Sequence, residues 1–320
     1  MRTLGGEFFK RLRLVKWFDW LNQTYVVVAI LGSVWAFVWG AETDKELLFG
    51  IALSTYFVVL LIVFVATVFM YGKKARFSEA TKCLHEATHS ARDAFRYMMW
   101  CLNPEEVGFT FEPRHFRAEI ERCLTATASA FSLTTGVSCR ASIKVLAWDQ
   151  AGSGGLHVRT LARDTQSAGR ARSEDRDGGR LHRIEENTDF WLIHRRKCSW
   201  FFSGNLPALQ HYENSSIPLG WKPGDHWPLP YKSTIVLPIR YVYTNDDRDS
   251  LCSREADQGK LDEQDLYGFL AIDAGPRKAF DVRYDVEMGN AIADALVPIF
   301  HAYRQIREMT KPPVNTGVPQ

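Results

Sequence analysis

Tyr231-Lys232-Ser233-Thr234-Ile235-Val236-Leu237-Pro238-Ile239, and further on Gly268-Phe269-Leu270-Ala271-Ile272-Asp273, decide how the larger part of this 320-residue chain folds. The first stretch alternates: over Thr234–Tyr243, Ile235, Leu237, Ile239 and Tyr241 fall on one face of a strand. The second lies inside Tyr267–Ala274, a further strand, after an acidic, polar connection from Asn245 to Asp265. Upstream, Ala141–Trp148 and Leu156–Ala162 read as two more strands around a hairpin loop, Gln150-Ala151-Gly152-Ser153-Gly154-Gly155.

Helices bracket these strands. Glu112-Pro113 opens one with proline in its first turn, and Gly136 closes it. Phe116, Ile120, Cys123, Leu124, Ala128 and Phe131 form its apolar face. Tyr284–Ile306 is a long closing helix with Met288, Ile292, Leu296, Ile299 and Tyr303 on its buried side, and Pro298 is expected to kink it. Between the strand pairs, Arg163–Arg183 is rich in Arg, Asp, Ser and Gly and reads as a solvated, mobile insertion. Ile184–Arg195 reads as a short helix, and Trp200–Pro230 as irregular chain crowded with aromatics and prolines. The order helix, two strands, irregular region, two strands, helix describes an α+β domain with a mostly antiparallel sheet flanked by helices.

Ala141–Trp148, Tyr231–Ile239, Gly268–Asp273 and Phe280 leading into the last helix together resemble the GAF family of cytoplasmic sensor domains, over roughly Phe109 to Tyr303. The resemblance implies a GAF-like domain at 107–305, followed by a tail at 306–320. It also implies small-molecule binding between sheet and overlying loops, or a dimerising role without a ligand. Trp191, Trp200, Phe201, Phe202, Tyr212 and Trp221 are candidates to line such a pocket, with Arg159, Glu185, Asn187 and His194 as polar partners. The bland alternative is that these aromatics simply pack the core and loops. The cyclic-nucleotide signature of the family is not reproduced, and nothing around Cys198 and His194 specifies a bilin or haem. No residue pattern names a cofactor.

Towards the amino terminus, Tyr25–Gly40 and Leu47–Tyr71 contain no charged residue. A lipid-spanning helix needs roughly 20 apolar residues, so spans at about 21–40 and 47–71 make a two-helix transmembrane hairpin within 20–71. Trp17 and Trp20 are interfacial anchors. The turn Ala41–Glu46 is short and acidic, whereas Arg2, Lys10, Arg11, Arg13 and Lys16 precede the hairpin and Lys73, Lys74 and Arg76 follow it. Short-loop cations stay inside, so both termini are expected in the cytoplasm of a multi-pass inner-membrane protein. Residues 1–19 read as a basic, amphipathic segment on the inner leaflet. The net charge of +2 is too balanced to suggest nucleic-acid binding, and the basic flanks match anionic lipid instead. The six cysteines are scattered, without a C-x-x-C pair, and read as reduced packing thiols.

Residues 72–106 join hairpin to domain. Phe77, Thr81, Leu84, Thr88, Ala91, Phe95, Met98 and Leu102 follow a heptad rhythm, so 77–102 is expected to form a parallel homodimer or to pack on the chain's own domain. The same stretch holds His85-Glu86-Ala87-Thr88-His89, a match to H-E-x-x-H. On a helix, His85 and His89 sit one turn apart and can share a zinc, with Glu86 as general base. A third ligand is required, for which Glu105, Glu106, Glu119 and Glu121 are candidates. His85 through Asp93 also resembles the phospho-acceptor helix of sensor histidine kinases, but no kinase module follows. No phosphate loop, nucleophile elbow or paired metal carboxylates stand out.

The sequence therefore points to a membrane-anchored sensor rather than an enzyme, coupling a small molecule or protein partner to the hairpin. Two other classes remain open: a two-span membrane-perturbing effector of a defence system, and a zinc metalloprotease.

Overall fold

The computed structural model describes residues 43–103, 110–148, 155–167, 181–218, 220–222, 225–241 and 266–309. The basic segment 1–19, the first apolar run, most of the 150–155 loop, the centre of the 163–183 insertion, the 245–265 connection and the end of the tail lie outside the described residues. The chain divides into two compact units, Met1–Ala75 and Arg76–Gln320.

Helix α1 (Asp44–Leu102) contributes to both units. It starts on a capping box: Glu46 N–H donates to Thr43 Oγ1 at 3.4 Å, and Thr43 N–H donates to Glu46 Oε2 at 3.1 Å. Its first 24 residues, Asp44–Thr67, contain an 18-residue stretch with a mean hydropathy of 2.7 and are long and apolar enough to cross a membrane. Leu48, Ile51, Val58, Ile62 and Phe64 are exposed there. Thr55 and Thr67 return their hydroxyls to the carbonyls of Ile51 and Val63, so their polar groups are satisfied within the helix. The expected second span at 47–71 overlaps this stretch; its partner at 21–40 is outside the described residues.

The second unit is an α+β fold. Helix α2 (Pro113–Thr135) is followed by β1 (Cys139–Trp148), β2 (Leu156–Arg163) and β3 (His182–Arg183). Next come a 3-10 turn at Ile184–Glu186, α3 (Thr188–His194), β4 (Phe201–Ser203) and a second 3-10 turn at Leu206–Ala208. Strands β5 (Ser233–Arg240) and β6 (Leu266–Ala274) and helix α4 (Asp285–Met309) complete it. The strands form one sheet in the order β3-β2-β1-β6-β5-β4, with every neighbouring pair antiparallel.

The boundaries expected from pattern move by a few residues. Strand β1 begins earlier, at Cys139, and β5 stops at Arg240, where a register shift against β6 ends the regular pairing. Ile184–Arg195 resolves into the 3-10 turn and α3, and the irregular 200–230 stretch contains the short edge strand β4. Gly136 closes α2 as expected, with φ of 75° in the left-handed region, and its N–H donates to the Ser132 carbonyl. Helix α4 continues through Pro298.

Two layers meet on one side of the sheet. Ala141, Ile143, Val145, Ile235, Leu237, Ile239, Leu270 and Ile272 pack with Phe116, Ile120, Leu124 and Phe131 of α2 and with Ile292, Leu296, Ile299 and Phe300 of α4. Phe116 stacks on Tyr303 with ring centroids 4.9 Å apart. Strands β1 and β6 approach closely at Gly268, where a Cβ would stand 2.1 Å from the Lys144 carbonyl oxygen, so no other residue fits there without backbone movement.

The domain half of α1 belongs to this same core, through Ala87, Ala91, Ala94, Tyr97, Met98 and Cys101. This stripe is rotated from the expected seam. Ala91 and Met98 are shared and Leu84, Phe95 and Leu102 pack against it, but Thr81 and Thr88 face outwards and Phe77 is 69% exposed. Alanines at 80, 87 and 94 let α1 approach its own domain closely, which a threonine-rich seam would not. This part of α1 packs on the chain's own domain, the second of the two expectations for 77–102.

Candidate functional site

The other face of the sheet is mixed, with an apolar cluster of Val158, Val236, Phe269, Phe190 and Ile193 and charged residues beside it. Ser142 and Lys144 of β1, Val158 and Arg163 of β2, Thr234 and Val236 of β5, and Ala271 and Asp273 of β6 floor a cavity of about 320 Å³. The roof comes from α3 and the irregular chain: Asn187, Asp189 and Phe190, then Asn214–Ser216, then Pro228–Tyr231. Strand alternation explains the floor, because residues at 142 and 144 point away from the helix layer that takes Ala141, Ile143 and Val145.

The roof is held by a fixed set of polar contacts. Asn187 Nδ2 donates to the Arg183 carbonyl at 3.1 Å, while its Oδ1 accepts from Ser215 N–H and Oγ at 3.2 and 3.1 Å. Thr188 and Glu213 exchange two hydrogen bonds, Thr188 N–H to the Glu213 carbonyl and Glu213 N–H to Thr188 Oγ1. Beneath them a separate apolar cluster of Leu206, Tyr212, Trp227 and Leu229, joined by Phe201, Ile217, Trp221 and Tyr231, gives the irregular chain its own small core. Trp227 Nε1–H donates to the Tyr231 carbonyl at 2.6 Å and fixes the turn that enters β5.

Two carboxyls line the cavity wall, Asp189 buried and Asp273 half-buried. Asp189 is 4% exposed; its Oδ1 accepts the Phe190 N–H at 2.9 Å and its Oδ2 the Tyr212 hydroxyl at 3.1 Å. Burial pushes its pKa up to about 6, and the charge of Asp273 adds to that, while the two hydrogen bonds and Lys144 pull the other way. Asp273 Oδ1 accepts the Thr234 hydroxyl at 2.7 Å. Burial raises its pKa too, opposed by Thr234 and by the positive charges of Lys144, Arg163 and Arg140. Burial and the two carboxylates hold the Tyr231 phenol well above its ordinary value, so it is a neutral hydroxyl in the wall. In the same lining, Lys144 Nζ donates to Thr160 Oγ1 at 2.6 Å, and Arg163 Nη2 to the same oxygen at 3.4 Å.

Of the residues singled out from the sequence, Asn187 lines this cavity. Tyr212 stands behind the wall and orients Asp189. Arg159 pairs with Val145 in the sheet and so lies on the helix-facing side, away from the cavity. Glu185 is on the surface, in an ion pair with Arg183 at 3.4 Å. Phe202 packs against the helix-side core, Trp191 against the cluster beneath α3, and His194 lines a separate cavity of about 180 Å³ with Tyr267 and Arg304. The aromatics thus serve mostly as packing. Lys144, Arg163, Asp189, Tyr231 and Asp273 went unnoticed, although a lysine inside Ala141–Trp148 and an aspartate ending Gly268–Asp273 were each a polar break in an apolar strand.

The H-E-x-x-H residues sit on the exposed side of α1. His89 Nδ1 lies 2.6 Å from Arg92 Nη2, and His89 Nε2 lies 2.9 Å from His85 Nε2. Arginine can only donate, so His89 carries its proton on Nε2 and donates it to His85. The guanidinium beside His89 opposes a metal cation there. No group of three His, Cys, Asp or Glu side chains that could hold a metal occurs among the described residues. Of the proposed third ligands, Glu119 is buried, pairs with the exposed Arg122 and lies 3.8 Å from His115, Glu121 pairs with Arg117, and Glu105 and Glu106 lie outside the described residues. Burial raises the Cys123 thiol to about 12, which makes it a packing residue rather than a nucleophile.

No family model matches the chain, and no curated protein matches it either. Among solved structures, it is similar to the type II free methionine-R-sulfoxide reductase from Thermoplasma acidophilum at 15% identity, covering 59% of this chain and 96% of that one, with a TM-score of 0.35. It is similar to the GAF domain from an Acinetobacter phosphoenolpyruvate-protein phosphotransferase at 12% identity, covering 66% and 93%, with a TM-score of 0.35. A GAF domain from the corresponding Coxiella burnetii protein is similar at 14% identity, covering 68% and 97%, with a TM-score of 0.36.

Proposed function

We propose that the chain is a membrane-anchored sensor whose Arg76–Gln320 unit is a GAF-like domain binding a small polar molecule in the cavity between sheet and roof. The observation that carries this reading is the cavity of about 320 Å³ whose lining includes the charged side chains of Asp189, Asp273, Lys144 and Arg163. Burying carboxyls at raised pKa costs stability, and a fold keeps such groups where they meet a ligand more readily than where they only pack. Anchoring is supported by Asp44–Thr67 together with the uncharged run before it and the basic flanks. In this reading both termini are cytoplasmic. Ligand binding shifts β1, and because Ile143 of β1 packs in the same core as Ala87, Ala91 and Met98, the shift reaches α1.

The test is thermal unfolding of the full-length chain in detergent against a metabolite and nucleotide library. A ligand at 100 times its Kd adds about 2.7 kcal/mol, an upward shift of roughly 5 °C or more. A library without a single stabilising compound would leave a purely structural module as the better reading.

A further inference from the structure

The chain that leaves β6, Gly275–Tyr284, covers one end of the domain. Ser233 Oγ, at the start of β5, donates to the Pro276 carbonyl and accepts the Ala279 N–H at 3.3 Å, and Lys278 N–H donates to the Gly204 carbonyl at 2.7 Å. The Phe280 ring lies 6.2 Å from that of Phe131, one turn before the end of α2. The Arg76 guanidinium reaches the same end, since a Cβ on Gly136 would stand 3.8 Å from its Nη1. Cys139 and Ser233 both pair with Ala274, so Arg76, the close of α2, the start of β1 and the Gly275–Tyr284 chain come together.

This end is basic and apolar at once. Arg76, Lys232, Arg277, Lys278 and Arg283 are exposed, against the exposed carboxyls of Asp281 and Glu287. Among the described residues none of these five cations forms an ion pair. Beside them Tyr284 is 73% exposed, Phe77 69% and Val282 42%. The turn that presents Val282 and Tyr284 is fixed, because Asp281 N–H donates to Asp285 Oδ2 at 2.7 Å and Arg283 N–H to Asp281 Oδ1 at 2.9 Å. Lys278 has a φ of 54°, a region that favours glycine, so its place in this surface carries a backbone cost.

Covalent reach brings lipid to this surface. The uncharged run ends at Tyr71, five residues before Arg76, and five residues span at most about 18 Å on any path. The headgroup layer of a bilayer is itself roughly 5–8 Å deep. Aromatic and aliphatic side chains set among cations match the boundary between anionic headgroups and acyl chains. A free phosphate would meet the cations and leave Val282 and Tyr284 in water. An acidic protein would meet the same charges, but only lipid is brought within reach by the chain itself.

We propose that this end of the domain, centred on Arg277, Lys278, Val282, Arg283 and Tyr284, docks on the anionic headgroups of the membrane that holds the apolar run. This rests on the reading of Asp44–Thr67 as a membrane span. It goes further by giving the Arg76–Gln320 unit a lipid contact of its own.

Photo-crosslinking of the full-length chain in liposomes tests it. One protein carries benzoylphenylalanine in place of Tyr284, and a second carries it in place of the exposed Met309, about 36 Å away along α4. The liposomes are phosphatidylcholine alone, or phosphatidylcholine with an equal share of phosphatidylglycerol, and lipid adducts are measured by mass spectrometry. Position 284 is expected to form a lipid adduct in the anionic liposomes, with a yield that falls about 5-fold or more in phosphatidylcholine alone or at about 1 M salt. Position 309 should give little adduct in either. Arg277→Glu combined with Arg283→Glu should lower the yield at 284 as far as removing the anionic lipid does. Because lipid and salt are varied on one and the same protein, the result does not depend on that variant folding. Equal yields at 284 and 309 would overturn the proposal, as would a yield at 284 that ignores lipid charge and salt, or an adduct to protein in place of lipid. A chain that alkaline carbonate strips from the liposomes would instead overturn the underlying reading of the span.

Discussion

One face of the sheet carries the main apolar core, and the other sets charged groups and open space beside a smaller apolar cluster of Val158, Val236, Phe269 and Phe190. The helix side is dry and closed: Phe116, Phe131, Leu237, Leu270, Ile272 and Phe300 are at most 2% exposed and contact one another. The cavity side holds buried Asp189 and half-enclosed Lys144 and Arg163 around open space. One strand serves both, since β1 gives Ile143 to the core and Ser142 and Lys144 to the cavity. The contrast separates what stabilises this domain from what it is available to do: one face yields free energy of burial, and the other spends part of it on desolvated charge.

Truncations sharpen that contrast most. Phe131→Ala on the helix side is expected to cost about 3–5 kcal/mol in chemical denaturation. Phe190→Ala, which borders the cavity, should cost less by about 1 kcal/mol or more, because space already adjoins it. Equal losses would mean that the cavity face is packed as tightly as the core.

The next effect is a dependence on pH. Asp189 has a folded pKa of about 6 against an ordinary 3.8, so the folded chain keeps a proton that the unfolded chain has released. Its contribution is complete below the ordinary value and lost as pH rises through about 6, a decline of about 3 kcal/mol. Asp273 shifts in the same direction. The difference in stability between the wild-type protein and Asp189→Asn should therefore fall across that window. A flat difference would place Asp189 in water.

Two smaller effects belong to the edges. Buried Asp164 accepts N–H groups of Ala141, Gln166 and Ser167 just beyond β2, each at 3.0 Å. Asp164→Ala should lose about 2 kcal/mol by leaving them without that acceptor. Gly136→Ala strains a left-handed position at the end of α2 and should cost about 1 kcal/mol.

How much of this was legible in the sequence follows the same division. Burial on the helix face repeats along the chain, so Ile235, Leu237 and Ile239, the α2 stripe from Phe116 to Phe131 and the α4 stripe from Ile292 to Ile299 were readable from spacing alone. Proline at 113 and glycine at 136 marked the ends of α2. The α1 stripe was read correctly from Leu84 through Ala91, Phe95 and Met98 to Leu102 but not at Phe77, Thr81 and Thr88, because a 3.5-residue rhythm admits two adjacent seams. The small alanines chose between them by allowing close approach. The cavity was much less legible. It depends on segments far apart in sequence, such as Lys144, Asp189 and Asp273, each an isolated polar residue until the sheet aligns them. Large aromatics drew attention instead, and Trp221, Trp227 and Tyr212 turned out to be the small core of the roof. Asn187 was found because a polar side chain opening a short helix is conspicuous.

The central claim, that the polar face of the sheet is a ligand site, can be tested without knowing the ligand. Full-length wild-type protein and Ala271→Phe, which fills the floor, are each dialysed in detergent against the same small-molecule extract, and the retained compounds are measured by mass spectrometry. The account predicts a compound retained by the wild-type protein and released by Ala271→Phe, while both give the same circular dichroism spectrum. Equal retention by the two proteins would contradict it.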